Sequence, residues 1–469
     1  MLITGGPDSM RILKYISLST FFVLTGCVSF APDYQRPALP VPQQFSLAQN
    51  GLVSTGDYSV PGWRQFFANP AATALIEQTL RTNADLKTAI LNVREAREKY
   101  GVTRADQLPQ VNGNLSATSQ GRFTGEKRTE DSYETGFSLS FEPDFWGRLQ
   151  NLSDADQQNF LATQEAQRTA QILLISTAMQ SYYQYHLATE QLAISRESLS
   201  YYVQSYRFIE RRLVTGNSNV LSLEQARGQT ESAQADIAAR EGELKQAANA
   251  LQRVSGDYRP LLPVNPADAL VSPEVNLPAN LRSDILLQRP DITEAEHLLL
   301  AANANIGAAR AAFFPSVSLT GDISGSSSNL ASVLDAATGI WRFIPKITIP
   351  VFNGGRNSAN LALAEIRQEK AVVIYEQRIQ NAFKDVADAL ALRNSLAQQV
   401  AAQTRYAASL DITLQRAQFL FARGQSSYLD VLDAQRALLT TRQTLATLKY
   451  NQKINEITLF AALGGGWKA

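Results

Sequence analysis

Two carboxylates in the stretch SYLDVLDAQR, residues 427–436, are the side chains best placed to carry chemistry. Asp430 and Asp433 are three residues apart, so on a helix they share one face. Such a pair could form an acid/base dyad, a metal site, a solvated edge or part of a charged ring. No histidine, cysteine or second carboxylate cluster lies near them in the sequence. The pattern therefore predicts no enzyme activity from this pair.

The composition limits the classes of function that the chain can have. Its 469 residues include 43 basic and 43 acidic side chains, so no general attraction to nucleic acid is predicted. Cys27 is the single cysteine, which excludes an intrachain disulfide and a multi-cysteine metal cluster. His186 and His297 lie far apart and outside any HExxH motif, so we predict neither as a metal ligand. The sequence contains no loop of the GxxxxGK[ST] type, so nucleotide binding is not predicted.

The N-terminal segment has the organisation of a secretory signal peptide. MRILKYISLSTFFVLTGC begins at Met10 with a short basic region, continues with an apolar run and ends with small residues before Cys27. We predict a signal peptide over residues 1–26, with translation starting at Met10. The stretch LTGC resembles the bacterial lipobox, which implies cleavage before Cys27 and acylation of its thiol. Several acyl chains anchor a protein stably, and Val28 after the cysteine favours sorting to the outer membrane.

The mature chain contains an internal duplication. Residues 71–256 and 284–469 align as two copies of one supersecondary unit, joined by a proline-rich linker at 257–283. The offset between the copies is 206 residues at first and 208 further on, so one loop is longer in the second copy. The pairs that carry the alignment include Gly101 with Gly307, Pro109 with Pro315, Gly216 with Gly424, and Leu221 with Leu429.

Each copy contains two stretches in which apolar and polar residues alternate with period two, which predicts four β-strands. The strands are expected at about 111–121, 132–143, 316–325 and 342–352. A small soluble sheet would bury the same apolar face. Aromatic residues near the strand ends instead resemble the girdle of an outer-membrane barrel. Four strands cannot close such a barrel and open edges are not tolerated in lipid, so a membrane-spanning sheet would need several chains.

The rest of the chain predicts long helices. Neither 148–213 nor 357–423 contains a proline or a glycine, and a helix of about 65 residues would extend about 100 Å. Apolar residues after Gly424 recur every seven positions, which indicates coiled-coil packing. Gly216 and Gly424 then fall at the tips of two helix–turn–helix hairpins.

Several motifs together resemble one family over essentially the whole mature chain. They are LLQRPDITEAEHLLLAANANIGAARAAFFPSVSL (286–319), RGQSSYLDVLDAQRALL (423–439), ALGGGW (462–467), PDYQRP (32–37) and WRQFFANP (63–70). The sequence is similar to the outer-membrane efflux protein family, the TolC-type channel-tunnels, in particular the OprM-like lipoprotein branch that serves RND pumps. After the cysteine, residues 27–70 form the predicted lipid-anchored N-terminal segment.

The resemblance implies a mainly α fold with a transmembrane β portion. It implies a homotrimer whose protomers each give four strands to a 12-stranded β-barrel, continued by a long α-helical barrel with a small mixed equatorial region. The partners would be a periplasmic adaptor, an inner-membrane RND-type transporter and outer-membrane lipids. The implied function is a passive exit duct for drugs or other small toxic compounds, with no cofactor beyond the lipid on Cys27. The alternatives are a type I protein-secretion duct and a lipid-anchored coiled-coil structural protein.

The resemblance also assigns the opening pair of carboxylates. Asp430 and Asp433 match inward-facing acids at the periplasmic tip, where three copies would place six carboxylates in one constriction. Two carboxylates about 6 Å apart repel by about 3 kcal/mol at an effective dielectric constant near 20. Such a ring must hydrate, bind cations or raise some of its pKa values. The equivalents in the first copy are Ser222 and Gln225, so the ring would come from the second copy alone.

Other tip residues have alternative explanations. Leu429 and Leu432 either add an apolar constriction or serve ordinary packing between helices. Gly216 and Gly424 are assigned to adaptor contact, although turn geometry alone also explains them. A further set departs from the family: Phe421 and Ser426 stand where some members carry a tyrosine and an arginine that hold the closed state, and Arg423 is a candidate replacement.

Overall fold

The computed structural model describes most of the chain. The described residues are 29–45, 60–123, 129–259, 277, 281–333, 335, 339–465 and 467. The predicted signal peptide, the lipidation site Cys27 and most of the linker at 257–283 lie outside the described residues.

Eight α-helices and four β-strands are seen in this part of the chain. The helices are α1 Trp63–Phe66, α2 Pro70–Thr82, α3 Ala84–Ala105, α4 Arg148–Val214, α5 Val220–Ser255, α6 Pro290–Ala311, α7 Arg356–Ala422 and α8 Tyr428–Ala462. The strands are β1 Gln110–Gly121, β2 Thr129–Phe141, β3 Ser316–Ser327 and β4 Gly339–Thr348, and short 3-10 helices cover Ser283–Gln288 and Leu330–Ser332. Helices α4 and α7 have 67 residues each. Among the described helices, none combines the length and apolar character needed to cross a membrane.

The chain divides into two compact units, each built from several segments. The first unit holds the N-terminal residues up to Ala38, then Asn92–Gln164 and Glu294–Glu376. The second unit holds Leu39–Leu91, Glu165–Thr293 and Gln377–Ala469.

The first unit contains a four-stranded antiparallel sheet in the order β1-β2-β3-β4. The register places Gly113, Phe137, Ile323 and Trp341 in one row across the sheet. Phe137 and Ile323 are 66% exposed and Trp341 is 76% exposed, so this face carries large uncovered apolar side chains. The outer edges of β1 and β4 have no strand partner among the described residues. Soluble proteins rarely leave such a face and such edges open.

In the same unit, the N-terminal segment is held along α6. The side chain of Asn303 donates a hydrogen bond of 2.7 Å to the carbonyl of Pro32, and the guanidinium of Arg36 makes two bonds of 2.7 and 2.8 Å to Glu296. Gly307 leaves room for this segment, because a Cβ there would lie 2.7 Å from the amide nitrogen of Ala31. The segment that follows the predicted lipidation site is therefore docked by specific contacts.

The second unit contains both hairpin tips. The ends of α4, α5, α7 and α8 enclose a buried apolar cluster, whose members are Ile209, Ala226, Leu414, Tyr428, Val431, Leu432, Ala434 and Leu438. Elsewhere in this unit the rings of Phe66 and Phe460 stack at 4.0 Å, and Arg289 is paired with Asp291 at 2.7 Å. The apolar cluster includes Tyr428, Val431 and Leu432, so it fixes the position of the start of α8.

Candidate gate at the helix tips

The two hairpin turns of the second unit have the same backbone construction. Gly216 and Gly424 have φ values of +73° and +74°, a conformation that favours glycine. The amide of Asn217 donates to the carbonyl of Arg212 at 2.8 Å, and the amide of Gln425 donates to the carbonyl of Leu420 at 2.9 Å. These bonds have the spacing of a Schellman motif, which closes the C-terminus of a helix. A Cβ at either glycine would meet nothing within 4 Å, so the backbone conformation alone explains both residues.

Asp430 has a structural role at the start of α8. Its carboxylate accepts hydrogen bonds of 2.9 Å from both the amide and the hydroxyl of Ser427, and its own amide donates to Ser427 Oγ at 3.3 Å. This reciprocal arrangement is a capping box, which satisfies backbone donors at a helix N-terminus. The spacing S-x-x-D before an apolar run is its sequence signature, so the sequence contained the signal for this role.

The predicted carboxylates and leucines divide between the surface and the core. Asp430 and Asp433 are both exposed on α8, and Leu429 beside them is 50% exposed. Leu432 is only 2% exposed and belongs to the apolar cluster. Leu432 therefore packs between helices and does not line the acidic face, so only Leu429 remains available for an apolar constriction.

The first copy starts its second hairpin helix in a different way. The side chain of Asn219 caps α5 by accepting a hydrogen bond of 2.8 Å from the amide of Ser222. Ser222 and Gln225 occupy the positions equivalent to the two aspartates. Within a protomer, the tip thus carries the carboxylate pair on α8 only.

Three residues stand at or near the positions of the usual closing contacts and have separate surroundings: Phe421, Arg423 and Ser426. The guanidinium of Arg423 lies 4.1 Å over the ring of Phe419 on its own helix. The hydroxyl of Ser426 is buried and has no hydrogen-bond partner among the described residues. The ring of Phe421 packs at 5.8 Å from that of Phe208 and at 5.7 Å from that of Tyr428.

A residue that the sequence did not single out joins the two hairpins. Arg212, near the end of α4, donates from Nη1 to the carbonyl oxygen of Phe421 at 2.9 Å. Its guanidinium carbon also lies 5.3 Å from the ring centre of Phe421 and 5.8 Å from that of Phe208. Arg212 and Phe421 are 209 positions apart in the chain, so no local pattern could have indicated the contact.

A cavity of about 760 Å³ lies beside this contact, between α4 and the ends of α7 and α8. Its walls include Tyr201, Gln204, Ser205, Arg207, Phe208, Glu210, Arg211, Gln418, Phe421, Ala422, Tyr428 and Val431. Burial, helped by the neighbouring Tyr202, raises the pKa of Tyr428 to about 12. Tyr428 therefore stays neutral at any physiological pH.

Further from the tip, Arg442 ties α8 to two other helices. Its guanidinium contacts Glu197 of α4 at 3.0 Å and Asp411 of α7 at 3.2 Å. Burial alone would raise the pKa of Glu197, but hydrogen bonds from Tyr201 and Arg442 outweigh it, so the pKa is lowered. Glu197 is consequently a stable anion in this network.

No group of three or more histidine, cysteine, aspartate or glutamate residues in the described ranges has an arrangement that could hold a metal ion. His297 Nδ1 lies 2.7 Å from Gln158 Oε1, and the His186 ring packs 4.3 Å from that of Tyr182. The exposed Asp430 and Asp433 can therefore attract and repel ions, but they do not form a complete ligand set within one protomer.

The chain is similar to a known family and to proteins of known structure. The model of the family described as "Outer membrane efflux protein" matches residues 75–257 and 281–465. The cation efflux system protein CusC of Escherichia coli O157:H7 is 57% identical over 460 residues, covering 98% of this chain and all of CusC. The probable outer membrane lipoprotein SilC of Salmonella typhimurium is 56% identical over 456 residues, covering 97% and 99%. A solved structure of CusC superposes with a TM-score of 0.85 and covers 94% of this chain and all of that one.

These findings confirm the fold class, that of the trimeric channel-tunnels with a β-barrel and an α-helical barrel. They also confirm the predicted localisation in the bacterial outer membrane. The relatives are named for efflux and for the outer membrane. The chain belongs to the outer membrane efflux protein family.

Proposed function

We propose that this protein is the passive outer-membrane exit duct of a tripartite efflux system, and that its cargo is small metal cations. The observation that carries the proposal is the exposed pair Asp430 and Asp433 at the tip of a chain that belongs to an efflux-channel family. A periplasmic adaptor and an inner-membrane RND-type transporter would complete the system. Energy must come from that transporter, since the sequence has no nucleotide-binding loop.

The sheet supports assembly into a homotrimer. A β-sheet in lipid must have no open edge, because every unpaired backbone group there costs several kcal/mol. The free edge of β4 can pair with the free edge of β1 in the next protomer. Three sheets of four strands give 12, an even number within the range of outer-membrane barrels. The exposed row of Phe137, Ile323 and Trp341 then faces lipid.

The tip supports a gate that prefers cations. Threefold symmetry would bring three copies of Asp430 and Asp433 around one axis, with Leu429 beside them. A ring of carboxylates lowers the energy of cations and raises that of anions in a pore. Repulsion of about 3 kcal/mol between carboxylates 6 Å apart also means that bound cations stabilise the narrow state. The two turns at Gly216 and Gly424 are the proposed points of contact for the adaptor.

The cargo assignment narrows the expectation of drugs or other small toxic compounds. Relatives at 56–57% identity include one that is named for cation efflux, and the acidic tip suits cations. The whole sequence has one cysteine, three methionines and two histidines, and Met179 is fully buried. With so few soft ligands, metal ions would pass through the duct in hydrated form and not by exchange between protein ligands.

The two alternatives have less support. A type I protein-secretion duct is disfavoured by the lipobox and by the ALGGGW ending. A coiled-coil structural protein would not need a sheet with an exposed apolar face and two open edges.

The cargo is tested by complementation. Escherichia coli lacking its own cation efflux protein of this family would express this chain, and its growth would be measured in salts of a series of transition-metal cations and in organic drugs. We expect tolerance to the metal salts to return. The matched variant Asp430→Asn/Asp433→Asn should restore it less well at equal protein level. Restored drug tolerance without metal tolerance would contradict the cation assignment.

A further inference from the structure

We propose that Arg212 positions the gate. It holds the end of α7 against the end of α4, and thereby keeps the start of α8, with its two carboxylates, in the resting position. The inference rests on the proposed duct function, because a gate matters only in a channel. It concerns contacts within the second unit of one protomer.

The contact uses two properties of the guanidinium at once. One N–H donates to the carbonyl of Phe421 at 2.9 Å, and the guanidinium carbon lies over the ring of the same residue, 5.3 Å from its centre. This carbonyl already accepts a bond from the amide of Gly424 in the turn, and its second lone pair accepts the charged donor from α4, which makes a strong hydrogen bond. A second ring, that of Phe208, lies 5.8 Å from the guanidinium on the other hairpin. A lysine could supply the charge but not the planar face.

The contact is located where a small shift moves the carboxylates. Phe421 precedes the Gly424 turn by three residues, and the amide of Gly424 also donates to its carbonyl at 3.0 Å. On the far side of the turn, Tyr428 begins α8 and packs its ring 5.7 Å from that of Phe421. Releasing Phe421 from Arg212 would therefore free the turn and the first residues of α8 together.

The packing that Arg212 holds is incompletely satisfied. The hydroxyls of Ser426 and Tyr428 and the side-chain oxygen of Gln435 are buried and lack hydrogen-bond partners in the described part of the chain. Buried polar groups of this kind favour any rearrangement that brings them to water. The 760 Å³ cavity reaches Tyr428 and Phe421 and offers a path for that water. Hydration thus favours separation of the hairpins, while Arg212 and the apolar cluster oppose it.

Neighbouring arginines do not make an equivalent bridge. Arg423 lies over Phe419 of its own helix. Arg211 is exposed and lies in the same last turn of α4 as Arg212. Both arginines of that turn interact with the helix dipole in the same way. A comparison of Arg211 with Arg212 therefore isolates the contact with Phe421 from the general effect of charge.

Amide hydrogen exchange on the full-length lipidated protein tests the positioning role directly. In Arg212→Ala, we expect amides between Leu420 and Asp430 to exchange about tenfold faster, with α6 unchanged. Arg211→Ala should exchange like the wild type, and Arg212→Lys should fall between the two. Equal rates in Arg212→Ala and wild type, or equal acceleration in both alanine variants, would overturn the proposal. If Arg212→Ala fails to fold, Arg212→Lys and Phe208→Leu provide the same comparison.

Channel recordings separate this inference from the duct itself. Arg212→Ala should raise the ratio of open to closed time about tenfold while the preference for cations stays unchanged. If neither the folded wild type nor Arg212→Ala conducts, although exchange is faster in Arg212→Ala, the duct is refuted and the positioning contact stands. Conducting channels in which Arg212→Ala opens and exchanges like the wild type would refute the positioning contact alone.

Discussion

The two functions at the start of α8, helix capping and negative charge, can be separated by paired substitutions. Ser427→Ala removes the hydroxyl that caps the helix and leaves both carboxylates in place. Asp433→Asn removes one charge per protomer and leaves the capping box untouched, because the box uses Asp430. The pair therefore tests whether the capping at Ser427 and the charge at Asp433 act separately.

The magnitudes follow from the contacts. Loss of a serine cap costs about 1 kcal/mol, within a range of about 0.5–2, which corresponds to about fivefold faster local opening at the start of α8. The two carboxylates of Asp430 and Asp433 repel by about 3 kcal/mol if about 6 Å separates them at a dielectric constant near 20. Asp433→Asn relieves that repulsion, so it should stabilise the narrow tip and weaken its attraction for cations.

Hydrogen exchange and the reversal potential, measured on each variant, distinguish the capping role from the charge role. Hydrogen exchange should show faster exchange near Tyr428 in Ser427→Ala only. The reversal potential in a salt gradient should shift toward zero in Asp433→Asn only. The reasoning fails if Ser427→Ala changes ion preference as much as Asp433→Asn does, or if Asp433→Asn leaves the reversal potential unchanged in a conducting channel.

Three further outcomes are expected. Gly307→Ala should release the N-terminal segment, because its Cβ would lie 2.7 Å from the amide nitrogen of Ala31; limited proteolysis near residue 31 should accelerate, and unchanged cleavage would contradict the docking. Gly424→Ala should destabilise the second turn by about 1 kcal/mol, because alanine is strained at this positive φ. Hydrogen exchange should become faster at this turn only, since an added Cβ would contact nothing within 4 Å. The lowered pKa of Glu197 means that its contact with Arg442 stabilises the fold above the ordinary glutamate pKa and is lost as pH falls through the lowered value. The protection of amides near Arg442, taken relative to their intrinsic exchange rate at each pH, should fall in acid, and Glu197→Gln should abolish that dependence.

The strands show how far alternation can predict structure. The period-two pattern located all four strands, because it directly reflects the two faces of a pleated sheet. The observed ends differ from the expected ones by up to four residues. Strand β4 stops at Thr348 although alternation continues to Val351, since Thr348 pairs with Ser316, the first residue of β3, and the ladder has no partner beyond it. Strand β2 starts at Thr129, within a polar stretch, because it stays paired with β1 as far as Gly121.

The tip shows what the sequence could not decide. The seven-residue pattern includes Leu432, which is followed by Leu439 and Ala446, but not Leu429. It does not show which helix ends cover Leu432. The bridge from Arg212 to Phe421 depends on the docking of two distant hairpins. The capping box was readable from S-x-x-D, but the charge of Asp430 suggested only a pore role.

The most direct test of the account is the single-channel conductance and ion preference of the purified protein in a planar bilayer, compared with Asp430→Asn/Asp433→Asn. The account predicts cation-selective currents in the wild type and a loss of that selectivity in the double variant, with the protein still folded and inserted. Conducting channels whose selectivity is the same in both proteins would contradict a duct gated by these two aspartates.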